Sequence, residues 1–232
     1  MAGDAGGSFG AGVSRRSVLG GAGKAAAAGV ALTAAGAVVA PELATANATG
    51  GIAVSPKGTT AIEFLAQIQQ DGDQLLAYGY LTEVAGLSEG DLFTGTPGEG
   101  TARLTAYATG TVGTRTANGA VHNLDIAGEL AVFSLPGGGA SFGNPDSFRS
   151  GTRVARYTLT IQDILTVTAP NTGLPTLVGD LRQSEAASLG GGKGKFGQNG
   201  AKLRLLATGI GTRLPPDPPV ATLTVAGNLA TV

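Results

Sequence analysis

Apolar and polar residues alternate through Ile62, Phe64, Ala66 and Ile68, with Glu63, Gln67 and Gln69 between them. A period of two marks a strand that turns one face to a core and the other to water. Asp71-Gly72 supplies a hairpin turn, and residues 75–84 form the return strand. Further along, Leu104, Ala106 and Ala108 share one face, with Arg103, Thr105, Tyr107 and Thr109 on the other. Leu124, Ile126, Leu130 and Val132 define a later strand. The same patterns return as Leu203, Leu205 and Ala207 against Lys202, Arg204 and Thr208, then as Leu223, Val225 and Leu229. A strand over 154–167 and a weaker one near 176–181 bring the total to about eight. Strands in that number predict an all-β fold, an antiparallel barrel or a two-sheet sandwich, because alternation is the same in both.

The recurrence is a repeat. Ala102, Leu104, Ala108, Thr109 and Gly110 match Ala201, Leu203, Ala207, Thr208 and Gly209 at an offset of 99. A one-residue slip aligns Gly113-Thr114-Arg115 with Gly211-Thr212-Arg213. The offset then returns to 99 for Val121, Leu124, Ala127, Gly128, Leu130 and Ala131. Biased composition would hardly restore one offset on both sides of a turn, so the pattern predicts duplication. Gly90-Asp91-Leu92 recurs as Gly179-Asp180-Leu181 at an offset of 89. The units run over about 58–133 and 151–232, joined by a Pro/Gly/Ser-rich linker, 134–150. Neither half could protect its own edges, which favours two four-strand halves completing one body. Gly110, Gly128, Gly209 and Gly227 fall at matched places, where a strand bends sharply or bulges.

Ahead of the repeats stands Ser14-Arg15-Arg16-Ser17-Val18-Leu19-Gly20, followed by a mild Ala/Gly/Val run over 25–40 and by Ala44-Thr45-Ala46-Asn47-Ala48. This order resembles a twin-arginine export signal, with Val18 and Gly20 where such signals usually carry Phe and often Lys. The resemblance implies cleavage after Ala46 or Ala48, a secreted or periplasmic destination, and the twin-arginine export machinery and a signal peptidase as partners. Residues 1–48 are then a signal and 49–232 a single domain. Loss of Arg15, Arg16 and Lys24, and of Asp4 and Glu42, leaves 12 basic and 14 acidic residues of the original 15 and 16. These scattered charges argue against nucleic acid. With no second long apolar segment, no membrane insertion of the mature chain is expected.

Candidate chemistry is sparse. The chain has no Cys and a single histidine, His122, which excludes the usual zinc sets and disulfides. Asp71-Gly72-Asp73 lacks the further ligands of a calcium loop. No G-x-S-x-G elbow accompanies His122. His122 shares strand parity with Leu124 and Ile126 and should point inward, near a barrel mouth, while Asp125 and Glu129 face outward. Tyr78 and Tyr80 are the other weak candidates for lining an internal cavity. No metal, nucleotide or flavin cofactor is expected.

The stretch Gly190-Gly191-Gly192-Lys193-Gly194-Lys195-Phe196-Gly197 contains a literal G-x-G-x-x-G, with no amphipathic helix after it to bind a dinucleotide. Gly191 to Phe196, followed by a strand, resembles the G-G-T-G-K-F loop of the allene oxide cyclase and dirigent families, with Lys193 in place of Thr. The resemblance covers this loop and the next strand, about a fifth of the mature chain. It implies an eight-stranded barrel that holds an apolar ligand; the families' acidic catalytic positions find no match. Small inward residues mean either closely packed sheets or a barrel with internal space. The expected function is an exported, soluble, non-catalytic protein that binds a small apolar ligand or an envelope partner. The alternative is an isomerase or cyclase that works by confining an apolar substrate, using His122, Tyr78 or Tyr80. The assembly state is left open.

Overall fold

A computed structural model describes residues 52–214 and 220–232; the proposed signal and its cleavage sites lie outside them. Eight strands follow one another around a closed, wholly antiparallel barrel. They are β1 (Thr60–Asp71), β2 (Gln74–Val84), β3 (Leu104–Asn118), β4 (Val121–Ser134), β5 (Thr152–Ala169), β6 (Thr172–Ala186), β7 (Lys202–Leu214) and β8 (Val220–Thr231). Each strand pairs with the next, and β1 closes on β8 from Thr60↔Ala230 to Asp71↔Val220. The fold is therefore a barrel rather than a sandwich, and closure leaves no strand edge exposed. β6 runs well beyond the short strand expected near 176–181.

The alternation now has a geometric meaning. Ile62, Ala66, Leu104, Ala108, Leu159, Leu177, Leu181, Leu205, Val225 and Leu229 are buried in one core inside the barrel. The outer wall is rich in threonine and carries the ion pairs Arg153–Glu185, Arg156–Glu129 and Arg204–Asp180. Leu206 and Ile210 are exposed apolar exceptions on β7. A membrane-spanning barrel has the reverse pattern, an apolar outer band around a polar interior. Among the described residues no helix is long and apolar enough to cross a membrane.

The two ends of the barrel differ. Strand pairs β1–β2, β3–β4 and β5–β6 are joined at one end by turns of two residues. The longer connections gather at the other end, with the one-turn helix α1 (Glu89–Leu92) in the β2–β3 connection. Ile52, Leu92, Phe93 and Phe196 are buried there and close the barrel. Lys193 of the glycine-rich loop pairs with Asp91 of α1. That hydrogen bond, with those from the Ser88 backbone and side chain, holds the Asp91 carboxyl down to about 2.

The two repeated segments are the hairpins β3–β4 and β7–β8, four strands apart and so on opposite walls. The one-residue slip, between Gly110 and Gly113, lies beside a bulge of β3 between Val112 and Thr114, where Gly113 has no cross-strand partner. None of the four matched glycines lies on a bulge; Gly128, Gly209 and Gly227 sit instead where neighbouring backbones come very close. A Cβ at Gly128 would lie 2.1 Å from the Thr109 carbonyl oxygen, and one at Gly209 would lie 1.9 Å from that of Thr224. Gly90-Asp91-Leu92 and Gly179-Asp180-Leu181, in contrast, differ in conformation: the first lies in α1 and the second in β6.

The connection 135–151 is packed rather than loose. Phe148 is fully buried against the outer wall together with Tyr78, Leu135 and Ala140. Its ring centroid lies 5.4 Å from that of Tyr78 and 5.1 Å from that of Phe142. The Thr105 hydroxyl donates to the Phe148 carbonyl over 2.6 Å.

Candidate functional site

Inward side chains of the barrel are small over much of its length, and three linked cavities result. At the hairpin end a mouth of about 320 Å³ is lined by Gln70, Arg115, His122, Asp163, Arg213 and several apolar side chains. Gln70, Leu124, Asp163 and Leu223 are shared with a narrower space of about 70 Å³ below it. Ile68, Ala77, Ala108, Leu159, Ile161 and Leu177 join that space to a wholly apolar bore of about 100 Å³. The alanines leave this room: where β2, β3 and β4 meet, Ala77 pairs with Ala108 and Ala108 with Leu130.

His122 lies at the start of β4 and lines the mouth. Its cross-strand partner is Leu165, and Leu124 is opposite Asp163. His122 and Asp163 are therefore diagonal neighbours on the inner face, with backbones roughly 7 Å apart. Asp125 is exposed on the outer wall, and Glu129 pairs with Arg156 there.

Tyr78 borders the bore along β2, but the side chains of Tyr78 and Tyr80 turn to the outer wall, so, contrary to expectation, neither ring enters the cavity. The Tyr78 hydroxyl donates to Gln67 Oε1 at 3.2 Å and accepts from Gln69 Nε2 at 2.8 Å. Its ring packs on Phe142 and Phe148. Tyr80 meets Phe93 edge-on at 6.2 Å and borders a shallow outer groove with Thr82, Glu83 and Pro97. Both faces of β2 are covered, the inner by the barrel core and the outer by the 135–151 connection, so an inward-facing aromatic was not required.

Asp163 is the candidate site residue that sequence reasoning missed. It shares parity on β5 with Leu159, Ile161 and Leu165, so its inward direction was legible. It is 6% exposed, and its Oδ1 has no hydrogen-bond partner among the described residues. Burial raises its carboxyl to about 6, and a hydrogen bond from the Thr176 backbone offsets part of that rise. Nearer the closed end of β5, Tyr157 is fully buried, its hydroxyl has no hydrogen-bond partner among the described residues, and burial raises it too. The mouth thus has a basic rim of Arg115 and Arg213, equivalent positions of the repeat, above one buried carboxyl. Arg115 Nη2 donates to Asp73 Oδ1 at 2.9 Å and to the Gly72 carbonyl at 2.8 Å, tying β3 to the β1–β2 turn.

The raised carboxyl has a consequence for stability. The folded protein binds the Asp163 proton more tightly than the unfolded chain, so this group opposes folding once ionised. Stability is therefore expected to rise as pH falls from 7 to 4.5. From the ordinary 3.8 to about 6, the full effect is roughly 3 kcal/mol. Asp91 acts oppositely, its contribution being lost only as pH falls from about 4 towards 2. In urea unfolding at stepped pH, Asp163→Asn should flatten the rise between pH 7 and 4.5; an unchanged profile contradicts this assignment.

The fold and site together define a closed eight-stranded meander barrel with an apolar bore and a polar mouth. No protein-family model matches the chain, and no curated protein or solved structure matches it either.

Proposed function

We propose that the chain is an exported, soluble barrel protein that holds a small apolar molecule in its bore without transforming it. The observation that carries this reading is the continuity of the mouth with an inner space lined by apolar side chains. Concave sites with apolar walls and a few placed polar groups are the usual form of small-ligand pockets. The closed end and the packed outer wall leave the hairpin mouth as the entrance. Export rests on the Arg15-Arg16 signal and the cleavage sequence that ends at Ala46 or Ala48.

Native mass spectrometry of the protein recovered outside the cytoplasm of its own host tests both parts. The expected species begins at Asn47 or Thr49 and carries one bound small molecule. An uncleaved chain confined to the cytoplasm refutes export, and bare polypeptide mass in every preparation refutes the ligand. A confinement isomerase or cyclase is the second reading. It is favoured by the adjacency of His122 and Asp163 at the mouth, and recovery of a rearranged molecule after incubation supports it over the carrier reading.

A further inference from the structure

Resting on the ligand-binding reading above, we infer that the bore selects a neutral apolar alcohol, whose hydroxyl donates to Asp163 while its hydrocarbon body lies in the bore. Asp163 marks the boundary between two environments, since it lines both the polar mouth and the narrow space beneath it. A molecule inserted lengthwise from the mouth brings its last polar group to this level.

Asp163 Oδ1 is buried without a hydrogen-bond partner among the described residues. A buried acceptor left unsatisfied is costly, and a ligand donor placed against it recovers that cost. The missing partner must be a donor, which excludes a simple hydrocarbon as the best ligand. An anionic headgroup at this depth would face a carboxylate and donate nothing to it. At the rim it could meet Arg213, but Asp163 would then stay unsatisfied. A cationic headgroup could donate to Asp163, yet it would have to enter past Arg213 and settle beside His122, with the Arg115 charge already paired with Asp73. A hydroxyl carries one donor and no charge, and so satisfies Asp163 without opposing either arginine. Sites built to hydrogen-bond a substrate hydroxyl reject analogues that lack it.

The test uses four probes of one chain length: decane, 1-decanol, decanoate and decylammonium. Each competes with an apolar fluorophore bound to the purified protein at pH 7.5. The expected result for the wild type is that 1-decanol binds at least about tenfold more tightly than the other three. In Asp163→Leu this preference disappears while decane still binds, and Asp163→Asn, which keeps an acceptor oxygen, retains part of it. Thermal unfolding of each variant confirms that the barrel is folded. Equal binding of all four probes to the wild type overturns the alcohol inference and leaves the bore as a binding site. A preference for decanoate or decylammonium, or a decanol preference that survives in Asp163→Leu, also overturns it. If neither the fluorophore nor any probe binds, the ligand-binding reading itself fails.

Discussion

Replacing Phe196 with alanine is expected to lower the stability of the barrel by about 3–5 kcal/mol, the range for removing a fully buried aromatic ring. Phe196 has no exposed surface and sits in the core layer that closes the end opposite the mouth. Its surroundings cannot collapse into the space it leaves. Its amide donates to the Ala187 carbonyl at 3.0 Å, and its carbonyl accepts from Gln183 Nε2 at 2.8 Å. On one side, the Lys195 carbonyl accepts from the Ile52 amide at 2.9 Å. On the other, Gln198 donates its amide to Gln183 Oε1 at 2.9 Å. A loop stapled on both sides keeps its shape and leaves a cavity, which places the cost high in the range. Urea unfolding of Phe196→Ala measures it; a loss below about 1 kcal/mol would show that the closed end does not depend on this ring.

The position of this plug also gives the glycine-rich loop a physical role. Residues 190–194 let the chain turn back at the closed end, and Phe196 follows as an anchor. The loop therefore lies at the far end from the mouth, which removes it from contact with an entering headgroup.

Much of the fold was legible in the chain. Alternation placed Ile62, Leu104, Leu124 and Leu203 inside, and the one-residue slip between Gly110 and Gly113 lies next to the bulge of β3. Closure was not legible, because a sandwich and a barrel demand the same period of two. Tyr78 and Tyr80 misled for a local reason. The run Leu75-Leu76-Ala77-Tyr78-Gly79-Tyr80-Leu81 is apolar on both faces, and its outer face is covered by Phe142 and Phe148, which lie more than 60 residues away in the chain. His122 was found by parity. Asp163 carried the same signal, but a carboxylate between isoleucine and leucine reads as an exposed charge until the strand's phase is fixed by its neighbours.

Filling the bore is the second large effect. Ala108 lines both inner spaces and is flanked by Ala77 and Leu130. A benzyl group at this point occupies the volume that an apolar ligand would need. Ala108→Phe is expected to weaken binding of an apolar fluorophore at least about 100-fold, an effect of roughly 3 kcal/mol. Its cost to stability should stay within the roughly 1–3 kcal/mol of overpacking, because the ring enters existing space. Thr109→Phe carries the same ring on the next residue, where the side chain faces water on the outer wall, and controls for added hydrophobicity. The decisive measurement is a fluorescence titration of wild type, Ala108→Phe and Thr109→Phe side by side. Saturable one-to-one binding by the wild type and Thr109→Phe, lost only in Ala108→Phe, is the outcome expected of a ligand-holding bore. Equal affinity in all three proteins would place the apolar site elsewhere and contradict it.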